Sequence, residues 1–110
     1  MEEWAYAQAK KAQKLTRLHF FSVNKQQDGK DIEFIVTVKE FATPPDGRLK
    51  FFAQADKQTN QGTVPYTPSG WGETLLTALA DCIVEVNRFP YEGPAGGGVE
   101  TKTGPPSNEA

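Results

Sequence analysis

Residues 31–42 read Asp31-Ile32-Glu33-Phe34-Ile35-Val36-Thr37-Val38-Lys39-Glu40-Phe41-Ala42. Ile32, Phe34, Val36 and Val38 occupy every second position, with Glu33, Ile35, Thr37 and Lys39 between them. A period of two belongs to a strand with one face on a core and the other left open. Aromatic and β-branched side chains supply the matching propensity. The stretch predicts a long strand, and the rest of the chain is read outward from it.

On the N-terminal side, Asp28-Gly29 is a hairpin turn signal. Before it, residues 18–25 are strand-like, with Leu18, Phe20, Phe21 and Val23. Phe20 and Phe21 compete for the core, so the pattern leaves either His19, Phe21 and Val23 or Leu18, Phe20 and Ser22 on the outer face. On the C-terminal side, Pro44-Pro45-Asp46-Gly47 forms a second turn. Arg48 to Asp56 then reads as a third strand, with Leu49, Phe51, Ala53 and Ala55 on one face. Two tight turns joining three strands imply an antiparallel meander.

Two helices are expected to flank the meander. Residues 3–17 are rich in alanine, glutamine and lysine, all good helix formers. Glu2 and Glu3 stand at the start and Lys14 and Arg17 near the end, as the helix dipole favours. The apolar stripe is thin: Trp4 or Ala5, then Ala9, Ala12 and Leu15. Residues 72–88 carry a broader stripe of Leu75, Leu76, Leu79, Cys82, Ile83 and Val86, with Ser69 as a candidate cap and Pro90 as the stop. Residues 57–71 between them read as one irregular loop. From Gly93 the chain is rich in glycine and proline, without apolar periodicity, and is expected to be flexible.

The expected fold is therefore α+β and two-layered, in the order α-β-β-β-α. A three-stranded antiparallel meander carries both helices on one face. Residues 1–92 form one domain and 93–110 a tail. The size agrees, because 110 residues with 37% hydrophobic and 24% charged side chains suit one globular domain. No apolar run follows the acidic N-terminus, none approaches a membrane span, and a single cysteine permits no internal disulfide. These features place the expectation in the cytoplasm.

The chemistry-bearing residues are few. One histidine, one cysteine and no Cys-x-x-Cys or His-Glu-x-x-His spacing give no basis for a metal site, and no cofactor is implied. Cys82 falls on an apolar helix face and reads as a small buried hydrophobe. His19 lies within a strand and has no identifiable orienting carboxylate. Asp31 and Glu33 share a strand face and read as surface charge. Gly70-Trp71-Gly72 reads as the start of a helix, and Gly93 to Gly98 lacks the strand–helix context of a phosphate loop. No catalytic residue is assigned, and the chain is not expected to be an enzyme. A small-ligand pocket lined by Asn60, Tyr66 and Trp71 ranks last among the functional readings.

The outer sheet face carries more information. Ile35, Phe41 and Phe52 stand opposite the core rows, on a face that both helices leave open. Exposed apolar clusters of this kind mark interfaces. Tyr66 and Trp71 on the long loop add two aromatic anchors. The expected function is a small non-enzymatic interaction or assembly module, self-associating as a homodimer through this face. The alternative is nucleic-acid binding, with Lys10, Lys11, Lys14 and Arg17 on the first helix and Lys39, Arg48 and Lys50 on the sheet. Residues 1–57 carry 10 basic and 8 acidic side chains, so the basic charge lies in that half. The net charge of −2 gives no strong global attraction for nucleic acid. The helix–three strands–helix order of residues 3–88 is similar to that of double-stranded RNA-binding domains. Of the basic elements such domains use, this sequence matches the run on the first helix, and no binding residues are transferred.

Overall fold

A computed structural model of the protein describes residues 3–10, 12–45 and 47–93. The long alternating stretch is strand β2, Lys30–Phe41. It pairs antiparallel with β1, Thr16–Gln27, across Asp28-Gly29. Both turn residues have positive φ, 53° for Asp28 and 76° for Gly29, as a two-residue hairpin of this hand requires. Gln27 faces Lys30 and the ladder runs unbroken to Thr16 opposite Phe41. That register settles the parity of β1: Phe21 lies opposite Val36 and His19 opposite Val38, on the core side. Leu18 and Phe20 take the open side.

The sheet has four strands, not three. β3, Phe51–Ala55, pairs with β2, and β4, Ser69–Gly72, pairs with β3, giving the order β1-β2-β3-β4 with every neighbour antiparallel. The stretch expected to be loop and helix start is thus an edge strand. Its two glycines explain both its placement and why propensity conceals it. A Cβ on Gly70 would lie 2.6 Å from the Ala78 carbonyl oxygen, and one on Gly72 would lie 2.6 Å from the Ala78 amide nitrogen. The helix rests directly on the backbone of β4, which a side chain at either position would prevent.

That helix, α1, spans Leu75–Arg88, starting later than expected. Thr74, and not Ser69, is its N-cap, with Thr74 Oγ1 accepting from the Thr77 amide at 3.1 Å. Its inner face of Ala78, Cys82 and Val86 closes a core with Phe34, Val36, Val38, Ala53 and Ala55. The far end is tied to β1: Lys25 Nζ donates to the carbonyls of Val86 at 2.9 Å and Phe89 at 2.6 Å. A cation at the C-terminal end of a helix meets both unpaired carbonyls and the negative end of the dipole.

The expected N-terminal helix over residues 3–17 is not formed. A single 3-10 turn, Glu3–Ala7, stands in its place, and Arg17 belongs to β1. A thin alanine stripe gives an isolated helix little to bury, and short helices are marginal without such burial. The chain gains other contacts instead. The Leu15 carbonyl accepts from the Ala42 amide at 2.9 Å, which extends the β1–β2 ladder, and Gln8 Oε1 accepts from the Leu15 amide at 3.0 Å. Among the described residues the order is one 3-10 turn, four strands and one helix, so the topology shared with double-stranded RNA-binding domains does not hold over them. The expected tail, apart from Gly93, lies outside the described residues. No helix among the described residues is long and apolar enough to cross a membrane.

Candidate interaction surface

The pleat divides the sheet into two unlike faces. The inner one bears the core and α1. The outer one places Leu18, Lys39, Phe52 and Trp71 in a single row across all four strands. Phe20, Thr37, Gln54 and Ser69 form the next row, and Thr16 and Phe41 the row on the other side. Ile35 lies beyond, opposite Ser22. Both described helical segments serve the inner face: α1 through the core, and the N-terminal turn through Trp4, whose ring lies 5.2 Å from the Arg17 guanidinium carbon.

Three rings gather at one end of the open face. Trp71 stacks on Phe41 with centroids 5.9 Å apart and planes within 10°, and lies 4.7 Å from Phe52. Mutual stacking leaves Phe41 and Phe52 half-buried, yet Trp71 remains 42% exposed, Leu18 47% and Phe20 64%. The result is a surface with an aromatic cluster, one lysine in the central row and uncharged Thr37 and Gln54 beside it.

Of the expected interface residues, the fold brings Ile35, Phe41, Phe52 and Trp71 onto this face. Trp71 arrives there because it is a strand residue of β4 between two glycines. Tyr66 does not join them. It bridges to Thr59 within the β3–β4 connection and packs edge-on against Phe89 with centroids 5.9 Å apart. Burial, then a hydrogen bond to Glu85 and that residue's charge, raise its pKa. Tyr66 closes the connection against the end of α1, while Trp71 lies among the rings of the outer face.

The basic set of the nucleic-acid alternative is dispersed. Lys39 lies on the open face. Arg17 and Lys50 turn to the inner side, where both meet Glu40, at 3.0 and 3.5 Å. Arg48 forms an ion pair with Glu73. Lys10 and Lys14 belong to the N-terminal segment and to no helix. Lys11 lies outside the described residues.

A polar cluster on the inner face was not anticipated. Glu40 is buried, and its Oε1 accepts from Arg17 Nε at 3.2 Å and Arg17 Nη2 at 3.0 Å, with His19 Nε2 also 3.0 Å away. Burial works to raise the Glu40 pKa. Hydrogen bonds from His19 and Arg17, with the charges of Arg17 and Lys50, outweigh it and hold the carboxyl below its ordinary value. The signal was in the sequence: a two-residue turn at Asp28-Gly29 sets Arg17 opposite Glu40 by counting back along both strands. The carboxylate oxygens are engaged by these three side chains, so the cluster serves the sheet. Cys82 is also structural. Its Sγ donates to the Pro68 carbonyl at 3.5 Å, and burial pushes the thiol pKa up to about 11. Among the described residues no group of histidine, cysteine and carboxylates is placed to hold a metal ion.

Fold and surface together define an α+β chain with one helix-backed antiparallel sheet whose other face no element among the described residues covers. Compared with known protein families, curated proteins and solved structures, the chain finds no match.

Proposed function

We propose that this protein is a non-enzymatic assembly module that self-associates through the open face of its sheet. The observation that carries this reading is the row Leu18–Lys39–Phe52–Trp71, with Phe20 and Phe41 beside it. Aromatic side chains amid few charges are the composition of an interface core. A two-fold arrangement buries the same patch on both chains, so one surface serves both partners. The occupant is a second copy laid sheet to sheet, with packing like that between the two layers of a sandwich.

Light scattering over a wide concentration range tests it. The wild type is expected to exceed the monomer mass. Phe20→Glu, at a side chain that is 64% exposed, should lower that mass without unfolding the chain. Phe52→Glu should act in the same direction from within the ring cluster. A wild type that stays monomeric at near-millimolar concentration overturns the proposal.

One observation favours a second reading. Exposed Phe20 and Trp71 lie near Lys39, and aromatic rings on a sheet can stack unpaired bases. A titration with single-stranded oligonucleotides at low salt decides it. Binding that Trp71→Ala and Lys39→Ala each weaken supports this reading, and no binding removes it.

A further inference from the structure

The outer edge of β1 carries main-chain groups that no other described strand pairs. Gln27 and Lys30 flank the two-residue turn and face each other. In such a hairpin the pair beside the turn exchanges both main-chain hydrogen bonds, and every second residue repeats the pattern. The odd-numbered residues of β1 therefore bond to β2. The ladder agrees at its far end, where the Leu15 carbonyl accepts from the Ala42 amide at 2.9 Å. It agrees on the other side of β2, where the Phe41 amide donates to the Lys50 carbonyl at 3.0 Å. Thr16, Leu18, Phe20, Ser22, Asn24 and Gln26 turn their amides and carbonyls away from β2, and β1 ends the sheet. Among the described residues nothing pairs with that edge.

Edge strands are ordinarily shielded by shortness, proline, a bulge or charge. β4, the opposite edge, spans only Ser69–Gly72. β1 is 12 residues long, its register against β2 is unbroken and it holds no proline. Its middle, Leu18-His19-Phe20-Phe21-Ser22-Val23-Asn24, holds no lysine, arginine or acid. The cations that flank it, Arg17 and Lys25, turn to the inner face and are engaged there, Arg17 by Glu40 and Lys25 by the carbonyls of Val86 and Phe89. The residues that offer their main chain also set Leu18 and Phe20 on the open face, where both are exposed.

β1 is complementary to itself. An antiparallel pair of β1 strands on a two-fold at His19 sets Leu18 of each chain opposite Phe20 of the other. Each chain then covers the exposed apolar pair of its mate, and cross-strand pairs of this kind are the unit of sheet stabilisation. Arg17 faces the other chain's Phe21 and not a second cation, and both Lys25 side chains lie beyond the paired stretch. The two His19 rings meet near the axis, each with Nε2 3.0 Å from its own chain's Glu40.

We infer that the outer edge of β1 is a strand-pairing site whose partner is β1 of a second copy, antiparallel over residues 16–22. The two sheets run on into one, with α1 of both chains on the same side of it. The inference does not rest on the sheet-to-sheet contact proposed above, which uses side chains of the open face and no main-chain groups. The paired stretch buries less than the ~1,600 Å² of a standard interface, so the contact belongs to the weak class and is sought at high concentration.

Amide hydrogen exchange of the full-length wild type, followed residue by residue by NMR at rising protein concentration, reads the edge directly. The amides of Leu18 and Phe20 should exchange fast in the dilute protein and roughly tenfold or more slowly in the concentrated one, because pairing hydrogen-bonds them. Phe21, bonded to β2, is the reference, and sheet-to-sheet stacking gives the outward amides no acceptor. Ser22→Pro removes one outward N–H without taking a bond from the ladder to β2. It should weaken association roughly tenfold or more, equivalent to about 1.4 kcal/mol, whereas Ser22→Ala leaves it unchanged. Should Ser22→Pro not fold, exchange in the wild type decides alone. A mass that rises with concentration while Leu18 and Phe20 exchange at an unchanged rate overturns the inference and leaves the sheet-to-sheet contact standing. A wild type that stays monomeric at near-millimolar concentration overturns both. Phe52→Glu protein that associates as the wild type does, with Leu18 and Phe20 protected, would support the edge pairing and refute the sheet-to-sheet contact.

Discussion

Glu40 is the one buried acid of the sheet, and its cost is met by position. A lone buried carboxylate would be expelled or protonated. Here the antiparallel register sets Arg17 directly opposite, and His19 and Lys50 reach it from neighbouring positions. The lowered pKa has a definite consequence for stability. A carboxyl with a folded pKa below its unfolded value of about 4.3 contributes stability that is fully present above that pH. The contribution is lost as the pH falls through the folded value. Glu40→Gln should therefore lower stability near neutrality by ~1–3 kcal/mol, leaving cations beside an amide. It should also flatten the acid limb of stability against pH. Urea denaturation of both proteins from pH 7 to pH 3 reads the two effects together, and an unchanged acid limb would remove Glu40 as its source.

At the scale of elements, legibility divides between long and short segments. The β1–β2 hairpin is readable from Ile32, Phe34, Val36 and Val38 together with Asp28-Gly29, because period and turn agree. β4 is hidden because Gly70 and Gly72 have poor strand propensity, although glycine at every second position around Trp71 is itself a period of two. The N-terminal segment misleads in the other direction. Its alanines and lysines favour a helix locally, but nothing in its stripe is large enough to hold one against the sheet. The packing of α1 on β4 gives the corresponding prediction. Gly70→Ala places a methyl group 2.6 Å from the Ala78 carbonyl and 2.8 Å from both Asp81 Cβ and the Cys82 amide nitrogen. Overpacking against backbone costs ~1–3 kcal/mol. Gly29, in the turn, has open space around its Cβ position but a φ of 76°, so its substitution is costly for conformational reasons alone. Thermal melts of Gly70→Ala should show a lowered midpoint, and a Gly70→Ala protein as stable as wild type would mean that α1 does not seat on β4.

At the scale of the molecule, α1 covers one face of the sheet, and the described residues leave the other uncovered. The open-face residues Ile35, Phe41 and Phe52 are legible in the sequence because strand alternation assigns them away from the core. Leu18 and Phe20 become so only when the hairpin register is counted through. Tyr66 is misplaced because a loop position carries no face until the fold supplies one. The physical character of the open face also predicts how its assembly responds to solution conditions. Binding to a polyanion through basic groups releases counterions and weakens steeply with salt. Burial of Phe20, Phe52 and Trp71 against a second copy is driven by removal of apolar surface from water, which excluded salts such as sulfate strengthen. The repulsion between the two Lys39 ammonium groups, brought together by a sheet-to-sheet two-fold, is screened by the same salt. Self-association of the wild type should therefore hold or rise from low to high sulfate, read as mass by light scattering at fixed protein concentration. Phe20→Glu should remove most of that rise. A mass that falls with salt would point to charge pairing as the force of assembly, and the aromatic row would lose its assigned role.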